Sequence, residues 1–224
     1  MSGISEKLVK YFEQQSEIYP DELYLASESS QEQQNGEVNQ SESVWESLRK
    51  EIRLCEKCDL YKQCNQKVPG YGQKNTDLML IGEAPGREED KQGKPFVGKS
   101  GQLLTKILNA IELDRESVFI SNIVKCRPPN NRNPHKDEEG KCLDWLEMEI
   151  DLVEPKIIVT LGLTAINALM DDKKRLKDWR EEDYQYKNSI VIPTYHPSAL
   201  LQNQNYKRPT WEDFKKVRKR LEEV

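Results

Sequence analysis

An α/β fold, a three-layer α/β/α sandwich around a central, mostly parallel four-stranded sheet, is the fold class this chain predicts. Three observations predict it. Four apolar runs of strand length, 77–82 (DLMLIG), 118–123, 156–161 (KIIVTL) and 189–195, are separated by stretches of helical pattern. Such continuously apolar runs mark strands buried on both faces, which is how a parallel sheet between helix layers reads. Loops rich in glycine and proline follow three of the four runs, where α/β proteins collect their reactive groups.

Each element has its own warrant. Ile4, Leu8, Tyr11 and Phe12 fall at helical spacing, followed by Ile18, Tyr19, Leu23, Tyr24 and Leu25. Residues 1–25 thus form a short N-terminal segment, either docking on a partner or packing on its own domain. Residues 26–43 hold one Val, one Ala and no aromatic, too little apolar surface to offset ordering, and predict a flexible acidic linker. The body, 44–224, is the size of one domain. It opens with a helix over 44–54 leading into Cys55. A helix over 101–111 follows from Leu103, Leu104, Ile107, Leu108 and Ile111 at i, i+3 and i+4 spacing. Long helices over 137–153 and 211–221 and a shorter one over 163–170 complete the alternation.

Charged residues make up 33% of the 224 and the hydrophobic set 36%. No apolar run approaches the roughly 20 residues of a membrane helix. The N-terminus has no basic flank followed by an apolar stretch, so no secretory signal is visible. The acid is unevenly spread. Residues 1–44 carry two bases and nine acids, net −7 within a chain of −5, which leaves the rest at +2. A mildly basic body behind an acidic leader is compatible with nucleic acid without demanding it.

Three loops carry chemistry. The first runs from 82–90 (GEAPGREED) to 93–98 (GKPFVG), the second holds Asn122 and 125–132 (KCRPPNNR), and the third is 196–201 (HPSALL). GEAPG is not a dinucleotide fingerprint, and its Glu would repel a pyrophosphate. Cys55 and Cys58 form a C-x2-C pair, with Cys126 and Cys142 as distant partners, and Cys64 is left over as a bystander thiol. The spacing predicts four-thiolate ligation and leaves zinc and iron–sulfur equally open.

The GEAPGREEDKQGKPFVGKSGQLL run, the NIVKCRPPNNR loop, the HPSALL segment and the four Cys together resemble family 4 uracil-DNA glycosylases, over nearly all of 45–224. The resemblance implies a [4Fe–4S] cluster on Cys55, Cys58, Cys126 and Cys142, structural rather than redox-catalytic. It implies a monofunctional DNA repair enzyme that flips uracil from single- or double-stranded DNA and hydrolyses its N-glycosidic bond. The same-fold alternative is a non-catalytic or product-trapping binder of uracil-DNA. A monomer working in the cytoplasm, nucleoid-associated in a prokaryote, completes the expectation, with no membrane and with residues 1–43 as the place for a protein partner.

Residue by residue, the resemblance puts Glu83 at the attacking water and the Ala84 amide on the bound base. Phe96 matches the aromatic on which the base stacks, and Glu89 the group that crowds C5 against a thymine methyl. Asn122 matches the uracil reader: a carboxamide accepts from N3–H and donates to O4, where cytosine presents the opposite pattern. His196 directs a neutral imidazole N–H at uracil O2, and Asn131 contributes to activity. Lys125, Arg127 and Arg132 are expected to reach phosphates, Pro197 and Ser198 to touch the backbone, and Leu200 or Leu201 to wedge into the emptied stack. Gln202 stands where many relatives carry a base, and His135 is expected at the surface.

Overall fold

The computed structural model describes residues 36–224, so the expected segment 1–25 and most of the expected linker lie outside the described residues. The chain divides into two compact units, Met1–Glu51 and Ile52–Val224. The first described element, α1 (Gly36–Leu54), begins well before residue 44. Residues 36–43 are therefore helical rather than linker. Their polar composition hid a helix whose apolar positions, Trp45, Leu48 and Ile52, start only in its third turn.

In the second unit the four expected strands form the parallel centre of a six-stranded sheet. They are β2 (Leu78–Gly82), β3 (Phe119–Asn122), β4 (Ile157–Leu161) and β6 (Ser189–Thr194). Two short antiparallel strands, β1 (Tyr71–Gly72) and β5 (Tyr184–Tyr186), close the edges, in the order β1-β3-β2-β4-β6-β5. The expectation of four strands falls short by these two, which are too brief to show a period. Between the strands lie α2 (Arg87–Gln92), α3 (Lys99–Ala110), α4 (Lys136–Val153), α5 (Leu163–Met170) and α6 (Leu176–Trp179). The last strand leads into α7 (Pro197–Gln202) and α8 (Lys207–Glu223). No described helix is long and apolar enough to cross a membrane.

Strand alternation divides the core between two faces. Leu78, Leu80, Ile120, Ile157, Val159 and Ile192 meet Leu104 and Leu108 of α3 and Phe214 and Val217 of α8. On the opposite face α4 packs against β3 and α5 against β4. That is the expected three-layer arrangement, and it brings β2, β3, β4 and β6 to a common carboxyl end.

A candidate uracil-binding cleft

A cleft of about 660 Å³ opens at that end. Its floor is set by strand register. Gly82 and Asn122 are paired as the last residues of β2 and β3, so both chains leave the sheet together. A Cβ on Gly82 would lie 2.5 Å from Asn122 Oδ1 and 2.7 Å from the Phe96 ring, so only glycine lets these side chains share the floor. Asn122 is 1% exposed, and its Oδ1 has no hydrogen-bond partner among the described residues. A buried orphan acceptor is costly unless a ligand satisfies it.

Phe96 forms one wall in an uncommon backbone state, with φ at 52°. Several groups hold it there. Glu89 Oε1 accepts from the amides of Val97 (2.9 Å) and Gly98 (2.8 Å), and Arg115 donates to the Pro95 carbonyl at 2.7 Å. Gly101 lets the Phe96 carbonyl pack onto α3, since a Cβ there would sit 1.8 Å from that oxygen. The Phe96 ring centroid is 5.6 Å from that of His196, with the planes 38° apart.

His196 caps α7. The Ser198 amide donates to its Nδ1 at 3.1 Å, and the Ser198 hydroxyl lies 2.7 Å from the same nitrogen. A ring nitrogen that accepts a backbone N–H carries no proton, so the neutral imidazole is protonated at Nε2. Burial pushes the ring pKa down to about 4, against a smaller upward pull from Glu89. Across the cleft, burial raises the Glu83 carboxyl, a hydrogen bond from Thr164 lowers it, and Glu139 adds a push upward.

The 126–133 loop forms the rim. Asn130 and Asn131 are both left-handed, with φ of 55° and 54°. Arg127 Nε donates to Asn131 Oδ1 at 2.7 Å. Arg132 is clamped by two bonds to Glu138, at 2.7 and 2.8 Å, so its charge is already matched. Lys125 is 1% exposed and reaches no phosphate: its ammonium donates to Glu149 (2.7 Å), Ser121 (2.7 Å) and the Asn122 carbonyl (2.9 Å).

Beside this loop, Cys55, Cys58, Cys126 and Cys142 line one small hollow, and all are free thiols. Trp145 Nε1 donates to Cys55 Sγ at 3.2 Å and the Lys125 amide to Cys142 Sγ at 3.3 Å. Burial pushes Cys142 up to about 12, and Cys126 is raised by its hydrogen bond with Cys64 and by burial. Cys64 is not part of the hollow's lining; its thiol donates to the Tyr61 carbonyl at 3.7 Å. Among the described residues, no three His, Cys, Asp or Glu side chains converge on the position of one metal ion.

The model of the Uracil DNA glycosylase superfamily matches residues 69–215, a span that contains every wall of this cleft. A type-4 uracil-DNA glycosylase of Sulfurisphaera tokodaii is 44% identical over 185 residues, 77% of this chain and 83% of the relative. One from Saccharolobus solfataricus is 46% identical over 181 residues, 76% and 83% of the two chains. One from Thermotoga maritima is 39% identical over 181 residues, 79% and 94%. The chain belongs to the type-4 uracil-DNA glycosylases.

In this type-4 glycosylase the cleft is lined by Glu83, Ala84, Glu89, Phe96, Asn122, Asn131, Arg132, His196 and Ser198, all of them candidates from the sequence. Arg127 and Pro197 are not in its lining. Leu200 is 3% exposed and packs inward, whereas Leu201 is 52% exposed, so of the two only Leu201 is free to wedge. His135 is exposed, as expected. The sequence reading passed over Gly162, Leu163, Thr164 and Asn133, which also line the cleft. The signal was present: Gly162 ends the third apolar run, and the carboxyl end of that run obeys the same rule as the others.

Proposed function

We propose that this chain is a monofunctional uracil-DNA glycosylase, hydrolysing the bond between uracil and deoxyribose and leaving an abasic site. The observation that carries the reading is the buried Asn122 Oδ1 without a partner, set beside Phe96 and the protonated face of His196. A base in a duplex must leave the stack to be reached, and this floor suits one flipped inward. Asn122 Oδ1 accepts from uracil N3–H and its Nδ2 donates to O4; cytosine would put acceptor against acceptor and donor against donor.

Bond breaking leaves cationic character on the sugar and negative charge on the base. His196 Nε2–H meets that charge at O2 as a neutral donor, and the Ala84 amide adds a second hydrogen bond. Glu83 places the attacking water and faces the developing cation. Phe96 stacks on the ring. Glu89 occupies the side where a thymine methyl would sit, while its Oε1 keeps the Phe96 loop in place. Arg127 and Ser198 meet phosphate, and Leu201 fills the vacated stack.

Cys55, Cys58, Cys126 and Cys142 hold a [4Fe–4S] cluster in this reading. The four thiols are desolvated and gathered in one hollow, a donor set whose thiolates would suit a soft iron–sulfur centre. Bound there, the cluster supplies a covalent tie between the rim loop and two other chain segments. The protein acts as a monomer on single- or double-stranded DNA in the cytoplasm, and residues 1–43 are the place for a protein partner.

A single-turnover assay on an oligonucleotide with one deoxyuridine tests the reading. Asn122→Ala should lose excision about 100-fold or more, on the scale of one lost transition-state donor. It should keep DNA affinity within a few-fold, because phosphate contacts dominate binding. An unchanged rate overturns the assignment.

A further inference from the structure

The carbonyl of Asn122, the last in β3, is held by a side chain from further along the chain: the Lys125 ammonium donates to it at 2.9 Å. Strand geometry explains the need. The N–H and C=O of one residue face the same neighbouring strand, and successive residues alternate. Ile123 N–H donates to the Gly82 carbonyl of β2, so the Asn122 carbonyl faces the other way, towards β1. There Tyr71 pairs with Ile120 and Gly72 with Phe119. Carried back along the chain, that register would set Gly70 beside Ser121 and Pro69 beside Asn122, and proline has no N–H to give. A buried carbonyl left without a donor is costly, and the lysine supplies one. The rest of the ammonium is fully used. It donates to Ser121 Oγ and to Glu149 Oε2, both at 2.7 Å. Ser121 gives its own proton to the same carboxylate oxygen at 2.5 Å, and Glu149 Oε1 accepts the Gly70 amide at 2.7 Å. Lys125, Ser121 and Glu149 are each 1% exposed.

We propose that Lys125 is a positioning residue for uracil recognition: its ammonium, steadied by Glu149 and Ser121, fixes the Asn122 main chain and so the placement of the carboxamide. The inference rests on the reading of Asn122 as the uracil reader. A buried ion pair gains little over a well-packed apolar pair. What this one adds is a donor for the Asn122 carbonyl and an acceptor for the Gly70 amide. Past Asn122 the ladder to β2 continues through the amides of Ile123 and Val124, and Lys125 holds the opposite side of the same strand end. The lysine's own main chain is anchored. Its amide donates to Cys142 Sγ at 3.3 Å and its carbonyl accepts from Val68 at 2.7 Å. Neither Lys125 nor Glu149 lines the cleft, so the pair acts through Asn122 and touches no base. Displacing a recognition group by about 1 Å can cost on the order of 100-fold in rate, which gives such a strut its value.

The test is a double-mutant cycle read by single-turnover excision on single-stranded deoxyuridine DNA, using the full, iron-loaded chain. Lys125→Met is combined with Glu149→Gln, so that no buried charge is stranded and the Gly70 amide keeps an acceptor. In the parent background this pair should slow excision by about tenfold or more, with DNA affinity held within about threefold. In an Asn122→Ala background the same pair should cost less than about threefold, because the group it positions is gone. A merely structural role would lower both backgrounds alike, and that result overturns the proposal. So does an unchanged rate in the parent background. If the paired variant loses its iron absorbance or melts below the assay temperature, Ser121→Ala decides. Removing that acceptor loosens the ammonium and should slow excision about threefold in the parent background alone; an unchanged rate, or an equal loss in both backgrounds, overturns the proposal equally. Asn122→Ala by itself separates the two readings. If it leaves the rate unchanged, the uracil-reader assignment falls and this inference with it. If it abolishes excision while the Lys125 and Ser121 variants do not slow it, only the positioning role falls.

Discussion

His196 shows how one backbone amide settles a side chain's chemistry. The Ser198 N–H occupies Nδ1, burial keeps the ring neutral, and the remaining proton sits on Nε2. The sign of the pH effect follows. An unfolded histidine takes up a proton near pH 6.5, while the folded ring resists until about 4. Between those values the unfolded state binds more protons, so this residue's contribution to stability is full above about pH 6.5 and is lost as pH falls towards 4. His196→Asn should therefore flatten the melting temperature against pH across that window; an unchanged slope would mean the ring is not held neutral. That His196 belongs to the site was legible from its motif, but its tautomer was not, because that depends on where an amide two residues later points. Lys125 was misread for a related reason. A lysine in a basic loop looks solvated until Glu149, 24 residues on, is seen to bury with it.

At the scale of elements, the walls differ from the floor in what holds them. The floor is a parallel ladder continued past its strands by Ile123 N–H to the Gly82 carbonyl and Val124 N–H to the Glu83 carbonyl, at 2.9 and 3.1 Å. The walls are loops fixed by single side chains: Glu89 and Arg115 for the Phe96 turn, Glu138 for the rim. The rim has a second anchor in Cys126, which shares its hollow with cysteines from two other segments. Cys126→Ser should lose iron content and visible absorbance together and lower the melting temperature; full iron in that variant would point to another ligand set, with Cys64 the nearest substitute. The four central strands were legible because burial on both faces leaves an apolar run. The edge strands were not, and neither was the start of α1, since two or three residues and a polar first turn carry no period.

For the whole molecule, charge and chemistry are separated along the chain. Every residue assigned to the cleft lies between 83 and 202, inside the superfamily match, while the acidic excess lies before residue 44. Removing residues 1–35 should leave the single-turnover rate unchanged within about twofold and raise DNA affinity at low salt, as repulsion from phosphate is relieved. A collapse of turnover would place that segment in the catalytic fold. The one-residue pairing of Gly82 with Asn122 has a last consequence, for descent. A side chain rooted in a central ladder cannot drift without moving the sheet, whereas the Glu89–Gly98 turn and the 127–133 loop can exchange residues or lengthen at little cost to it. New tolerance for other bases would then arise in lineages through those loops, with the strand-end carboxamide inherited unchanged.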